Sequence, residues 1–298
     1  EEYNAAIQSM IIKGHEKTME ALKRDIGKKG QSLPGYVLND GRVVDGNRRF
    51  TAKRMLEGDE SVPENQYFEA VILSDLNIEN SKDKAVIKEL ELKIQFGQLG
   101  KEDYDPIDKA IDAYQTVCVR MLMTAKNYAE YTGFKKTEVD NLIAEAKLIS
   151  EFLEFVNADS QNFALAKSMK LDGPLRDLLV QYKRDIEESE DKDDILDTLF
   201  TEILRLRLQK DNNADFKGTF RPIVKKVIGT KRQDGFVDSL LDPANDISNA
   251  LEKDGAGEQK PVQNIDDLAR RINSSPEAKK ALAKTQEVVT EFVDTVSN

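Results

Sequence analysis

The chain has 298 residues, 33% of them charged, a formal net charge of −11 and no tryptophan. That length suits two or three modest domains better than one, and the acidic balance excludes a protein that coats nucleic acid over its whole surface, so any such contact is local. No apolar run reaches the roughly 20 residues that span a bilayer and no basic-then-apolar leader opens the chain, so the expectation is a cytoplasmic, helix-rich protein without a membrane partner.

Residues 15–27, HEKTMEALKRDIG, place Met19, Leu22 and Ile26 at helical spacing, and Gly27 and Gly30 end the helix. The single histidine, His15, precedes it and reads as a surface or N-terminal capping residue. "YVL" and "RVV" then flank Asn39-Asp40-Gly41, whose glycine suits a tight hairpin. Helical character returns over 48–57, and "YFEAVIL", Tyr67 to Leu73, reads as a further strand buried on both faces.

From Asp83 nearly every segment is helical: 82–97, 105–122, 124–132, 136–156, 160–170 and 173–189. Cys118, in the apolar run "YQTVCVRML", is expected to be a buried structural thiol. The acidic run from Asp185 to Asp194 reads as a solvated linker or helix start, with shielding of a basic site as the alternative. Ile195, Leu199, Ile203 and Leu206 then share one face of an amphipathic helix, a core or dimer seam. A basic cluster over 220–233, a linker over 252–261 and a helical pair over 264–297 suited to self-association complete the chain. The fold class is α+β, in three parts: an α/β domain over 1–80, a helical domain over 81–185 and a C-terminal helical region over 186–298.

Within the second part, about 124–149, a short helix carrying Tyr128, Ala129 and Tyr131 ends at Gly133, and a second helix turns Val139, Leu142, Ile143 and Ala146 inward. Small Ala129 and the Gly133 turn describe a helix-turn-helix. Its second helix would present Lys135, Lys136, Thr137 and Asn141 to DNA, alongside Glu138, Asp140 and Glu145, which repel phosphate; a plain helical hairpin is the other reading.

Asp45-Gly46-Asn47-Arg48-Arg49 carries the strongest chemistry. A glycine before a helix admits close approach of an anion, first-turn N–H groups point outward, and two guanidinium forks suit phosphate oxygens. Asp45 is the one candidate general base or metal ligand at this turn. A solvated turn with surface arginines has the same local pattern.

In its context, "KKGQSLPGYVLNDGRVVDGNRRFTAKRML", then "FEAVIL", "KEDYDPIDKAIDAYQ" and the helix-turn-helix, this box resembles the ParB family of partition proteins over roughly Met19 to Lys170. The resemblance implies a ParB/sulfiredoxin-like N-terminal fold in which Gly46, Asn47, Arg48 and Arg49 stand on the family's G-E-R-R triphosphate box, with asparagine in place of glutamate. Gly30 and Pro34 match its G-x-x-Q-P loop, where Leu33 replaces the glutamine. Lys101, Asp103, Tyr104, Pro106, Asp108 and Ala110 match its following helix opening, but the Glu-Asn pair tied to Mg²⁺ and hydrolysis falls on Gly97 and Gln98. Turnover would then need Glu89, Glu91, Glu102 or Asp103. Sulfiredoxin chemistry lacks its cysteine, since Asn47 occupies that position.

The resemblance implies a DNA-associated homodimer that binds a nucleoside triphosphate, CTP or another, with Mg²⁺ at Gly30, Gly46, Asn47, Arg48, Arg49 and Gln98, and that switches conformation in partition or mobile-element biology. A partner ATPase is a further implied contact. The alternatives are a ParB-fold nuclease or phosphotransferase acting through Asp45, and a non-catalytic protein that docks a partner.

Overall fold

The computed structural model describes residues 2–13, 15–57, 59, 66–98, 105–209, 216–253 and 260–297. In chain order the elements begin α1 (Glu2–Ile12), α2 (Glu16–Lys29), β1 (Gly35–Leu38), β2 (Val43–Asp45), α3 (Asn47–Leu56), β3 (Ala70–Leu73) and α4 (Ser81–Gln98). They continue with α5 (Pro106–Tyr114), α6 (Ala125–Thr132), α7 (Lys136–Phe155), α8 (Phe163–Ser168), α9 (Asp172–Gln181) and α10 (Lys192–Leu208). The last are α11 (Phe220–Lys226), α12 (Gln233–Glu252), α13 (Ile265–Ser274) and α14 (Pro276–Ser297), while π-helical turns Gln115–Val119 and Tyr182–Ile186 extend α5 and α9. The class is therefore α+β, mostly helical with one small mixed sheet.

Two compact units divide the chain, Glu1–Asp103 with Leu122–Phe134 and Tyr104–Met121 with Lys135–Asn298. The three-part division expected over 1–80, 81–185 and 186–298 is not the one the contacts make. α4 joins the α/β unit because α6 packs on it, with Phe96 and Phe134 edge to face at 5.1 Å and Lys93 over the Tyr131 ring at 5.0 Å. No break falls at 185 either, because Tyr182 and Ile186 belong to the same core as the helices that follow.

In the first unit the sheet order is β2-β1-β3. β1 and β2 are antiparallel, with Tyr36 opposite Asp45 and Val37 opposite Val43 across a bulge, and β1 and β3 run parallel from Gly35 opposite Ala70 to Leu38 opposite Leu73. The hairpin closes where the Leu38 N–H donates to the Arg42 carbonyl at 2.9 Å, Gly41 adopts φ 88° and the Asp40 carboxylate accepts from the Arg42 N–H at 3.0 Å. That combination is an Asx-supported turn with glycine at its left-handed residue. Behind it Met19 and Ile26 of α2 pack on Ala52 and Leu56 of α3, the first-turn and last-turn anchors of a small core. β3 corrects an expectation: Val71 is 44% and Ile72 66% exposed, because an apolar run at the sheet edge has one neighbouring strand and not two.

The second unit is helical and has the larger core. α10 is buried on every side from Ile195 to Leu206, threonines, Glu202 and Arg205 included, so it is a central helix and not the half-buried seam its periodicity predicts. Phe200 meets Phe152 at 5.4 Å and Phe155 at 5.9 Å between ring centroids. Aromatic pairs of this geometry add about 0.5–1.5 kcal/mol beyond the burial of their area. α12 packs on α14, with Phe236 against Phe292 at 5.3 Å, and Leu268, Ile272, Ala281 and Val289 turn the last two helices into the same core. Cys118 is exposed, not buried: in the π-helical turn the extra residue shifts side-chain phase, so Thr116 faces inward and Cys118 outward. Among the described residues no helix is long and apolar enough to cross a membrane.

Candidate functional site

β2 runs straight into α3 through one residue, and that residue has to be glycine. Gly46 caps α3 with φ 95° and ψ 15°, in the left-handed region, and its carbonyl accepts the Phe50 N–H at 2.8 Å. A Cβ there would lie 2.9 Å from Phe68 Cζ, 3.1 Å from Arg49 Nη2 and 3.2 Å from Gly35 Cα. Gly35 is equally constrained, for its Cβ would run into the Phe68 ring and approach the Asp45 carbonyl to 2.9 Å. Two glycines on adjacent strands thus let the turn settle under the Phe68 ring, which also meets Phe50 edge to face at 5.3 Å.

The electrostatics of the first turn of α3 are unusual. Its residues are Asn47, Arg48 and Arg49, with no acidic side chain. N–H groups of a first helical turn have no acceptor within the helix, and the dipole places positive potential there. Cations at that end cost about 0.3–1 kcal/mol each. Asp45 compensates one of them: its Oδ2 accepts from Arg49 Nη2 at 2.8 Å, with both side chains about a fifth exposed. Arg48 is exposed and pairs with no carboxylate among the described residues, as is Asn47 exposed beside it. One turn on, Lys53 Nζ donates to Gln66 Oε1 at 3.4 Å, adding a third cation on the same helix.

A hydrogen-bonded clamp sets the loop in front of the sheet. Gln31 donates through Nε2 to the Leu33 and Glu69 carbonyls at 2.8 and 2.7 Å and accepts the Glu69 N–H at 3.1 Å. The Glu69 carbonyl also accepts the Gly35 N–H at 2.8 Å, so the clamp fixes Phe68 over the two glycines. Gly30, one residue earlier, is the C-cap of α2 at φ 77°, and its Cβ position is open space.

The structure therefore brings together Asp45, Gly46, Asn47, Arg48 and Arg49, and it ties the residue after Gly30 to them by backbone contacts. It also adds Gln31, Gly35, Lys53 and Phe68, none of which the sequence reading singled out. Gly35 had a usable signal, a glycine opening a strand that must pass close to Gly46; Gln31 and Phe68 had none, because their roles depend on contacts 38 and more residues away or on ring placement. The side chains of Gly97 and Gln98 and all of Lys101, Glu102, Asp103 and Tyr104 lie outside the described residues. Among the described residues no group of three or more His, Cys, Asp or Glu side chains is placed to hold a metal ion. The acids considered for turnover are engaged elsewhere: Glu89 with Lys93 at 2.6 Å, which with Tyr131 holds its carboxyl below the usual carboxylate range, and Glu91 with Lys88 at 3.4 Å.

No family model, curated protein or solved structure matches this chain. The site stands on its own geometry.

The second set of expected contacts lies on α7. Helix, left-handed Gly133 at φ 68° and helix occur in the order expected, but α6 belongs to the first unit, packed on α4, and α7 to the second, packed on α5 and α9. Lys135, Lys136, Thr137 and Asn141 are all exposed, and Val139 and Ala146 are buried, as the spacing predicts. Glu145 does not face outward with them. It is 2% exposed and receives Arg176 in two contacts at 3.0 and 3.3 Å; burial pushes its carboxyl up and Arg176 partly offsets that. Asp140 is likewise engaged, with both oxygens on Lys136 Nζ at 3.0 and 2.7 Å. Of the three acids expected to repel phosphate, Glu138 alone is exposed with no cation on it among the described residues. His15 takes the N-cap position of α2, exposed and without a side-chain capping bond.

Proposed function

We propose that this chain is a ParB-like, DNA-associated protein whose α/β unit binds the phosphates of a nucleoside triphosphate, CTP or another, at Gly46, Asn47, Arg48 and Arg49 and uses that occupancy as a conformational switch. The observation that carries the reading is the first turn of α3: two guanidinium groups and no carboxylate at the positive end of a ten-residue helix. Left empty, that arrangement is self-repelling; an anion converts each repulsion into a charge-assisted hydrogen bond. Arg49 is pre-oriented by Asp45, whereas Arg48 is free to move onto the ligand. The glycine itself is already required by φ and by Phe68, so it supports the turn's rigidity and not phosphate approach as such.

In this reading Mg²⁺ arrives with the triphosphate, held by phosphate oxygens and water, since that ion retains several waters in most nucleotide sites. Asp45 acts as the carboxylate that aims Arg49, which leaves the alternative of a nuclease or phosphotransferase without its named base. DNA is held by the exposed residues of α7, and homodimerisation converts the switch into opening or closing on it.

The test is thermal unfolding and label retention with each of the four ribonucleoside triphosphates, with and without Mg²⁺. At a hundredfold excess over Kd the wild type gains about 2.7 kcal/mol. Arg48→Ala with Arg49→Ala abolishes the gain. Equal retention by the wild type and the double variant overturns the phosphate site.

A further inference from the structure

Lys183 lies in the π-helical turn after α9, more than thirty residues beyond the helix-turn-helix order, yet its ammonium reaches α7. Its Nζ donates to Asn141 Oδ1 at 2.8 Å and to the Asp140 carbonyl at 3.5 Å, and both Lys183 and Asn141 are exposed. The contact has two consequences. It adds a cation to a face from which Glu145 has been withdrawn by burial and on which Asp140 is neutralised by Lys136, leaving Lys135, Lys183 and Glu138 as its uncompensated charges. It also fixes the amide of Asn141: the oxygen faces Lys183 and the NH₂ points the other way.

Asparagine reads adenine by accepting from N6 and donating to N7 at once, which needs its oxygen open to an amino group. Here an adenine amino group brought to Oδ1 would meet the Lys183 ammonium, donor against donor. Guanine offers acceptors at both O6 and N7, and these match the Asn141 NH₂ and the Lys183 ammonium together. We propose that Lys183 and Asn141 form one contact unit on α7 that selects guanine in the major groove of duplex DNA. The inference rests on the reading of α7 as the DNA-contacting helix and goes beyond it by naming a residue outside that helix and the base it selects.

The experiment is selection of bound duplexes from a randomised pool by the full chain, with and without nucleoside triphosphates and Mg²⁺, followed by anisotropy titration of the selected duplex. The wild type is expected to enrich guanine at one position of the site. Lys183→Ala should weaken binding about tenfold, the scale of one good base contact, and relax that position towards adenine, and Lys183→Arg should restore the guanine preference. Circular dichroism melting of each variant checks that these exposed substitutions leave the fold intact. Unchanged affinity and unchanged base preference in Lys183→Ala, while Lys135→Ala or Asn141→Ala weakens binding, overturns the inference and leaves the DNA reading standing. Enrichment of adenine by the wild type also overturns it. Failure of the wild type to retain any duplex at low salt removes the DNA reading and the inference with it.

Discussion

Each unit contains an arginine paired with a carboxylate close by in its own helix or turn, and the two pairs serve opposite ends. In the second unit Glu202 and Arg205 meet in two bonds of 2.6 and 2.8 Å with side chains 1% and 7% exposed, inside a helix buried on all sides. Burial pushes the Glu202 carboxyl up, and Arg205 and Thr219 hold it back, so the pair is a satisfied polar island in an apolar core. In the first unit Asp45 and Arg49 are about a fifth exposed and sit at the mouth of a helix. A pair that water can reach contributes little to stability but holds a guanidinium in a chosen direction. The lesson is that one unit is built for cohesion and the other for presenting charge.

Removing one member of each pair tests that contrast most directly. Glu202→Ala leaves a buried guanidinium without its partner and should cost about 3–5 kcal/mol, whereas Asp45→Ala should cost less than about 1 kcal/mol. Urea unfolding followed by circular dichroism reads both; similar losses in the two variants would break the comparison. Gly46→Ala comes next in size. An alanine at φ 95° with Phe68 Cζ 2.9 Å from its Cβ should cost about 1–3 kcal/mol, confined to the α/β unit, and hydrogen exchange should show α2, α3 and the sheet loosening while α10 stays protected.

The smallest effect concerns Asp197 on the outer side of α10. Burial first, then Asp193 and Asp194, push its carboxyl up to about 6 from an ordinary value of 3.8. A folded-state value above the unfolded one means the folded protein holds the proton more tightly. That contribution is complete below pH 3.8 and is lost as pH rises through about 6. Asp197→Asn should therefore gain about 1 kcal/mol at neutral pH, a figure reduced for the solvent that reaches this side chain, and the gain should vanish near pH 4. A pH-independent difference would show that Asp197 acts through packing or its local hydrogen bonds.

Much of the architecture was legible because local rules decide it. Helix positions over 81–98, 136–155 and 192–208 follow from apolar spacing, and Pro106 after Asp105 marks the start of α5, where the Asp105 carboxylate accepts the Ile107 N–H at 3.3 Å. The hairpin and its Gly41 turn were legible for the same reason. What failed was inference about which side of an element water reaches. β3, Cys118, Glu145 and the full burial of α10 were all misjudged, since spacing reports which residues share a face but not how many faces are covered. At the site, Asp45, Gly46 and the two arginines were legible as a cluster because they are contiguous, while Gln31, Gly35 and Phe68 reach it from other strands and loops.

The sequence by itself determined the α+β class, the glycine at the mouth of α3 and the cations that follow it, because these depend on backbone geometry and on neighbours within a few residues. Tertiary structure alone decided that Phe68 closes over two glycines, that Arg49 is spoken for by Asp45 while Arg48 is not, and that Lys183 turns the Asn141 amide outward. Those facts depend on where distant segments meet, and the free energy of such meetings is shared across a core that no short stretch of chain encodes.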